Sequence, residues 1–369
     1  MKRFAFFIHP LNFEDVVRVA PQAANKRQPL VEKILEWTPA HEVSHITGLV
    51  SADGEEAEGW FIAMPLLPHM FLNLPKEKVF EKVLQGAEIA RQRGAQILGL
   101  GGFTSIIGNG GVQVAEMIPD IPVTSGNSFT IASSMEATLE ASRRLGMDLN
   151  EVTATVVGAS GSIGSVCAQL LAPHVRKMVL VARNVKRLEK IAEVITSISG
   201  RTPSLFSDVS MGIRKSDIII TATSSSGNII TAHDIKSGAL ICDVSLPHDV
   251  CREVAHLRPD VLVIEGGLIQ VPQNVTLNYD FGYPPDVALA CMSETMALTL
   301  EGRFEVYSIG RGIKLENVKE IAGIAKKQGF RLAGFRSFDK IVTDEMIERV
   351  RTLSAARRKD EDLRMSVGQ

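Results

Sequence analysis

The sequence holds only four cysteines, Cys167, Cys242, Cys251 and Cys291, and no CxxC pair among them. Their scatter argues against a disulfide framework and a thiolate metal cage, so no metal site is expected. It suits a reducing compartment, where a special cysteine acts as a thiol. A basic surplus is missing too: 40 Lys and Arg stand against 42 Asp and Glu, for a net charge of −2. That balance argues against a nucleic-acid partner. No apolar run reaches membrane-spanning length. The start, Met1–Ile8, is basic and then apolar, but His9-Pro10 cuts it off, and it reads as a first buried strand rather than a leader. A cytoplasmic protein without a membrane span is expected, with its oligomeric state open.

What is present is organised around Thr153–Arg187. A β-branched run ends in Gly158-Ala159-Ser160-Gly161-Ser162-Ile163-Gly164, an apolar-periodic helix follows (Ile163, Val166, Cys167, Leu170, Leu171), and Met178–Val181 is a second buried strand. Glycine lets the backbone bend sharply and lie against a pyrophosphate, to which the helix start offers free N–H groups. The spacing is GxxGxxG rather than GxGxxG, so its place between strand and helix carries the inference. An NAD site usually has an acidic residue at the end of the second strand, to hold the ribose hydroxyl. Here that strand runs out as Ala182-Arg183-Asn184, with Lys186 and Arg187 behind. A guanidinium there suits a 2′-phosphate, and the expected cofactor is NADP(H).

Length and pattern predict an α/β protein in more than one domain: a doubly wound parallel Rossmann sheet plus a second α/β substrate domain completed by C-terminal helices. The expected boundaries are 1–150 for the substrate domain and 151–283 for the dinucleotide domain. Helices in 284–369 are expected to pack back on the substrate domain. In the first domain, Gly101–Gly111 (with Thr104 and Ser105) and Thr124–Ser128 (with Ser125 and Asn127) put small polar groups at strand ends, where such domains bind ligands. The same residues also serve as turns and N-caps. In the second domain, buried strands end in Thr223–Gly227, with Thr223 and Ser224, and in Ser245–Asp249. These two loops are candidates for the nicotinamide side, and His248 reads as a solvent-facing loop histidine. Beyond Pro284-Pro285, Asp286 is a candidate N-cap for a helix Val287–Glu301 with Cys291 on its second turn. Taken alone, Cys291 reads either as a small core residue or as a thiol biased towards thiolate by the helix start.

The order and spacing of GGFTSI (Gly101–Ile106), TSGNSFT (Thr124–Thr130), GASGSIG (Gly158–Gly164), LVARN (Leu180–Asn184) and ALACMSETMALTLEG (Ala288–Gly302) resemble the long-chain fatty acyl-[acyl-carrier-protein] reductases of the cyanobacterial, aldehyde-forming type. The resemblance runs from His9 to about Gly329. It implies that Cys291 is the nucleophile that takes the acyl group from a thioester, which NADPH then reduces to a fatty aldehyde. It implies Gly158, Ser160, Gly161, Ser162, Ile163, Gly164, Arg183, Asn184, Arg187, Thr223, Ser224 and Ser245 as cofactor residues, and Thr104, Ser105, Ser125 and Asn127 along the acyl site. The implied partner is an acyl thioester on acyl carrier protein or coenzyme A, with an aldehyde-consuming enzyme downstream. This chain departs from the family at Phe129, where the cyanobacterial members carry histidine, and at Ser245–His248, where they are glycine-rich. Shikimate or quinate dehydrogenase-like and glutamyl-tRNA reductase-like oxidoreductases, and a non-catalytic NADP sensor, are the alternatives.

Overall fold

The computed structural model describes residues 1–367 apart from Ser226, Gln273 and Asp339, with only the backbone described over 358–367. Two compact units are present, one of Met1–Ala132 with Ile269–Ala333 and one of Ser133–Leu268 with Gly334–Gln369.

The first unit is built on β1 (Lys2–Ile8), β2 (His41–Val50), β3 (Glu56–Ala63), β4 (Ile97–Leu100) and β5 (Val123–Thr124), in the order β2-β3-β1-β4-β5. All neighbours are parallel except β2, which runs against β3. Phe4–Ile8 is buried on both faces, as a central parallel strand should be. Helices α1 (Phe13–Val19) and α2 (Gln28–Trp37) have no counterpart in the sequence reading. Asn12 caps α1 by accepting from the Asp15 amide at 2.9 Å, a signal the residue types did carry. Helix α3 (Lys76–Gln92) lays Val79, Val83, Ala87 and Ala90 on the sheet. Helix α4 (Asn127–Arg144) runs unbroken past Ala132, so the division falls inside a helix, ahead of the expected 150.

The second unit is a six-stranded parallel sheet of β6 (Thr153–Val157), β7 (Lys177–Val181), β8 (Ser204–Phe206), β9 (Ile218–Thr221), β10 (Leu240–Asp243) and β11 (Leu262–Glu265). Its order, β11-β10-β9-β6-β7-β8, is the doubly wound order of dinucleotide-binding sheets. Helices α5 (Ser162–Leu171) and α6 (Val185–Ser199) make the first two crossovers.

From Ile269 the chain belongs to the first unit again, not from the expected 284. Strand β12 (Leu268–Gln270) lies between β13 (Val287–Leu289) and β14 (Arg331–Leu332). Helices α7 (Ala290–Glu301) and α8 (Leu315–Lys327) complete that unit. Helix α7 is buried all round, Ala290 and Met292–Leu300 included, and it packs on β1 and β4. The tail departs from the expectation for 284–369. Helix α9 (Asp344–Val367) belongs to the second unit, where Arg357 meets the buried Asp260 at 3.1 Å and Arg144 meets Asp344 at 3.3 Å. Among the described residues, no helix is long and apolar enough to cross a membrane.

Candidate active site

In the second unit, Gly158 follows β6 at φ +80°, and a Cβ there would lie 2.3 Å from the Ala222 carbonyl oxygen beyond β9. Only glycine fits that left-handed, crowded position. The strands β6 and β9 flank the point where the winding reverses, and such sheets hold ligands there. Gly161 is the N-cap of α5, and among the described residues no side chain caps it. The amides of Ser162, Ile163 and Gly164 in the first turn are thereby offered to an anion. These residues fit a dinucleotide pyrophosphate. Arg183 is exposed and makes no ion pair among the described residues. Asn184 has a structural task, capping α6 by accepting from the Arg187 amide at 3.1 Å.

The candidate nicotinamide loops are tied together by a residue the sequence reading passed over. Asp249, fully buried, accepts from the hydroxyls of Thr221 (2.5 Å), Thr223 (2.7 Å), Ser225 (2.7 Å) and Ser245 (2.5 Å). The Ser245 hydroxyl in turn accepts from the Thr223 amide at 2.8 Å. Four hydroxyls on one carboxylate fix both loops, and among the described residues no cation pairs with it. Ser224 is exposed, and Ser226 of the same loop lies outside the described residues. His248 does not face solvent freely. Its Nδ1 lies 3.6 Å from Asp243, its side chain is 29% exposed, and its ring meets Phe338 edge-on. Burial works against charge on His248, but the Asp243 carboxylate outweighs it and raises the imidazole above its ordinary value.

In the first unit, Cys291 stands in the first turn of α7, not the second, because Val287–Leu289 forms β13 and Leu289 is the N-cap. Asp286 is therefore no cap; it accepts from Gln270 Nε2 at 3.2 Å. The turn Thr124–Phe129 lies directly against the cysteine. Gly126 has φ +74°, and a Cβ on it would fall 2.2 Å from Cys291 Cα and 2.3 Å from its Cβ. Burial pushes the Cys291 thiol up to about 12, with the charge of Glu294 adding to it. The helix start therefore does not leave a ready thiolate, as the sequence reading allowed, because desolvation outweighs the dipole.

Glu294 is the second residue the sequence reading passed over. It is fully buried, accepts from Thr124 Oγ1 at 2.5 Å and from the Phe129 amide at 2.7 Å, and so binds the turn to α7. A glutamate in the middle of a helix that is otherwise apolar or hydroxylic up to its last residue, Glu301, was the available signal. Ser125 donates to the Ser308 carbonyl, and Asn127 is buried at the start of α4. Thr104 and Ser105 bond within their own loop, to the carbonyls of Gly101 (2.8 Å) and Gly102 (2.7 Å). Among the described residues, no group of three or more His, Cys, Asp or Glu is arranged to hold a metal.

The GGFTS loop is held by His9, whose Nε2 accepts from the Phe103 amide at 2.8 Å, leaving Nδ1 to donate to the Pro10 carbonyl at 2.9 Å. Burial lowers the His9 pKa from 6.5 to about 4. The unfolded chain therefore binds the proton first as pH falls. Stability is full above pH 6.5 and declines towards pH 4, by about 3 kcal/mol at most. Urea titrations at pH 7.5 and 5 are expected to show that decline and to show less of it in His9→Gln. Equal declines would remove His9 as the cause.

Residues 140–264 match the family described as shikimate / quinate 5-dehydrogenase. The chain is 32% identical over 317 residues to a Serratia protein named Aminotransferase PigE, with 84% of this chain aligned. It spans only 36% of that relative's length. It is 28% identical over 307 residues to the long-chain acyl-[acyl-carrier-protein] reductase of Synechococcus elongatus, covering 79% of this chain and 87% of that one. Among solved structures, shikimate 5-dehydrogenase from Listeria monocytogenes, in complex with shikimate and NAD, aligns with 87% of this chain and 96% of its own. Its TM-score is 0.37 and its identity 14%.

Proposed function

We propose that this protein is an NAD(P)-dependent oxidoreductase, and specifically an NADPH-dependent reductase of fatty acyl thioesters that releases an aldehyde through an acyl group carried on Cys291. The observation that carries the finer reading is the seat of Cys291, in the first turn of a buried helix with Gly126 of the Thr124–Phe129 turn against its Cα and Cβ. The similarity to an acyl-[acyl-carrier-protein] reductase over most of both chains supports it.

Cys291 sulfur forms a bond to the acyl carbon, the carbon–sulfur bond of the donor thioester breaks, and the donor leaves as its thiol with the proton Cys291 gave up. One thioester replaces another, so the exchange is nearly balanced in free energy. NADPH, when bound, would supply the hydride to the acyl carbon. The bond from that carbon to the Cys291 sulfur breaks, the aldehyde leaves, and the sulfur takes a proton to return to the thiol. Gly158, Gly161 and the amides of Ser162, Ile163 and Gly164 would hold its pyrophosphate. Arg183 and Arg187 would meet its 2′-phosphate. An aldehyde calls for an enzyme that consumes it, and an aminotransferase, the name of the Serratia relative, is one such class.

The test is to mix the protein with a long-chain acyl thioester, without NADPH, and weigh it intact. A gain equal to the acyl group, mapping to Cys291, is expected; no gain, or a gain elsewhere, rejects the acyl-enzyme. The cofactor preference has its own expected result. Arg183→Ala weakens NADPH by on the order of tenfold or more, the worth of a charge-assisted pair, and leaves NADH nearly unchanged. Equal weakening of both in fluorescence titrations would count against a 2′-phosphate site.

A further inference from the structure

We propose that the outer face of α2 is a membrane-docking surface, by which the first unit lies on bilayers that carry anionic phospholipid. A surface helix ordinarily turns one apolar stripe inward and leaves the opposite side polar. Helix α2 is apolar on two sides. Val31 and Leu35 pack on the core of the first unit, while Leu30, Ile34 and Trp37 stand outside it, 53%, 54% and 74% exposed. Spacings of four and seven residues put these three on one stripe, and together with Lys33 they line an open apolar depression. Among the described residues no other large apolar side chain is as exposed as Trp37. The helix is fixed in this orientation, because Lys82 of α3 donates to the carbonyls of Leu35 and Thr38 at its C-terminal end.

Charge decides what the stripe fits. Lys26 and Arg27 stand exposed at its N-terminal end and make no ion pair among the described residues. Lys33 flanks it, with its ammonium 5.6 Å from the centre of the Trp37 ring. The acidic residues of the helix lie off the stripe and are already engaged. Glu36 sits between Lys33 and Lys78, and Glu32 meets Gln28 at 2.8 Å and His69 at 3.3 Å. A second copy laid on this face would set cations against cations, which is costly. Aliphatic side chains and a tryptophan rimmed by cations are what a helix lying in an anionic lipid interface presents. A bilayer also takes up a convex stripe without a matching groove. Each Lys or Arg near such a surface adds attraction that falls off within a Debye length.

The chain has two tryptophans, Trp37 and Trp60, and Trp60 is buried, so lipid-induced changes in emission report on Trp37. The full chain is titrated with vesicles of phosphatidylcholine alone and of phosphatidylcholine and phosphatidylserine in equal parts. Emission is expected to move to shorter wavelength with the mixed vesicles, hardly at all with the neutral ones, and to return when salt is added. Lys26→Gln with Arg27→Gln is expected to weaken binding roughly thirtyfold, the worth of two cations at an anionic surface. Leu30→Ser with Ile34→Ser is expected to weaken it by on the order of tenfold or more. All four positions are exposed, so thermal melts should not move. Should either variant melt early, quenching of native Trp37 by lipids with nitroxide-labelled acyl chains decides: quenching supports the proposal, and its absence overturns it. No shift with either vesicle, equal binding to both, or undiminished binding by the variants overturns it. So does a shift that follows protein concentration without lipid, which assigns the face to a second copy. A shift with acyl carrier protein but not with vesicles overturns it likewise, in favour of an acidic protein.

Discussion

Cys291→Ala is expected to bind NADPH as the native protein does and to form no measurable aldehyde. The side chain lies in the first unit, while the glycine turn and its loops are built wholly within the second, from β6, α5, β9 and β10. Removing one half-buried sulfur leaves that construction alone and costs little stability. The chemistry has no substitute for it. Without a covalent carrier the proposed acyl transfer cannot occur, and loss of a nucleophile lowers turnover by on the order of 10⁴-fold or more. NADPH oxidation with a long-chain acyl thioester, read beside a cofactor titration, checks both parts. Retention of more than about a tenth of the native rate, far above such a loss, would remove Cys291 from the chemistry.

Gly126→Ala should also slow the reaction strongly, though less than loss of the sulfur, and it removes no reactive group. The new methyl would enter a residue at φ +74°, where an L side chain is strained, and would fall 2.2 Å from Cys291 Cα. Carbon atoms in contact sit about 3.5–4.0 Å apart. Turn and helix must therefore part by more than an ångström, and the bonds from Thr124 and Phe129 to Glu294 stretch with them. Displacement of that size costs on the order of 10²-fold in rate. Strain at the left-handed position adds about 1–2 kcal/mol of lost stability. Steady-state rates with a thermal melt measure the two effects. Unchanged activity would mean that the turn does not set the position of the thiol.

The four hydroxyls gathered on Asp249 and the pairing of His248 with Asp243 were hidden in sequence for one reason. Burial of a carboxylate depends on which loops return to it, and Ser245–Asp249 looks like any polar loop. The same limit explains the misplaced division of the chain. Periodicity locates a helix such as Asn127–Arg144, but it gives no sign that two units share it.

Local chemistry alone determined the βαβ glycine turn, the buried parallel strands and the cations after β7, because backbone conformation and hydrophobic period act over neighbouring residues. The tertiary structure alone decided that Gly126 lies on Cys291, that Glu294 binds the turn, and that the thiol is driven towards its protonated form. Those depend on contacts across more than 160 positions of chain (165 between Phe129 and Glu294) and on the loss of water around them, neither of which a residue's neighbours in sequence record.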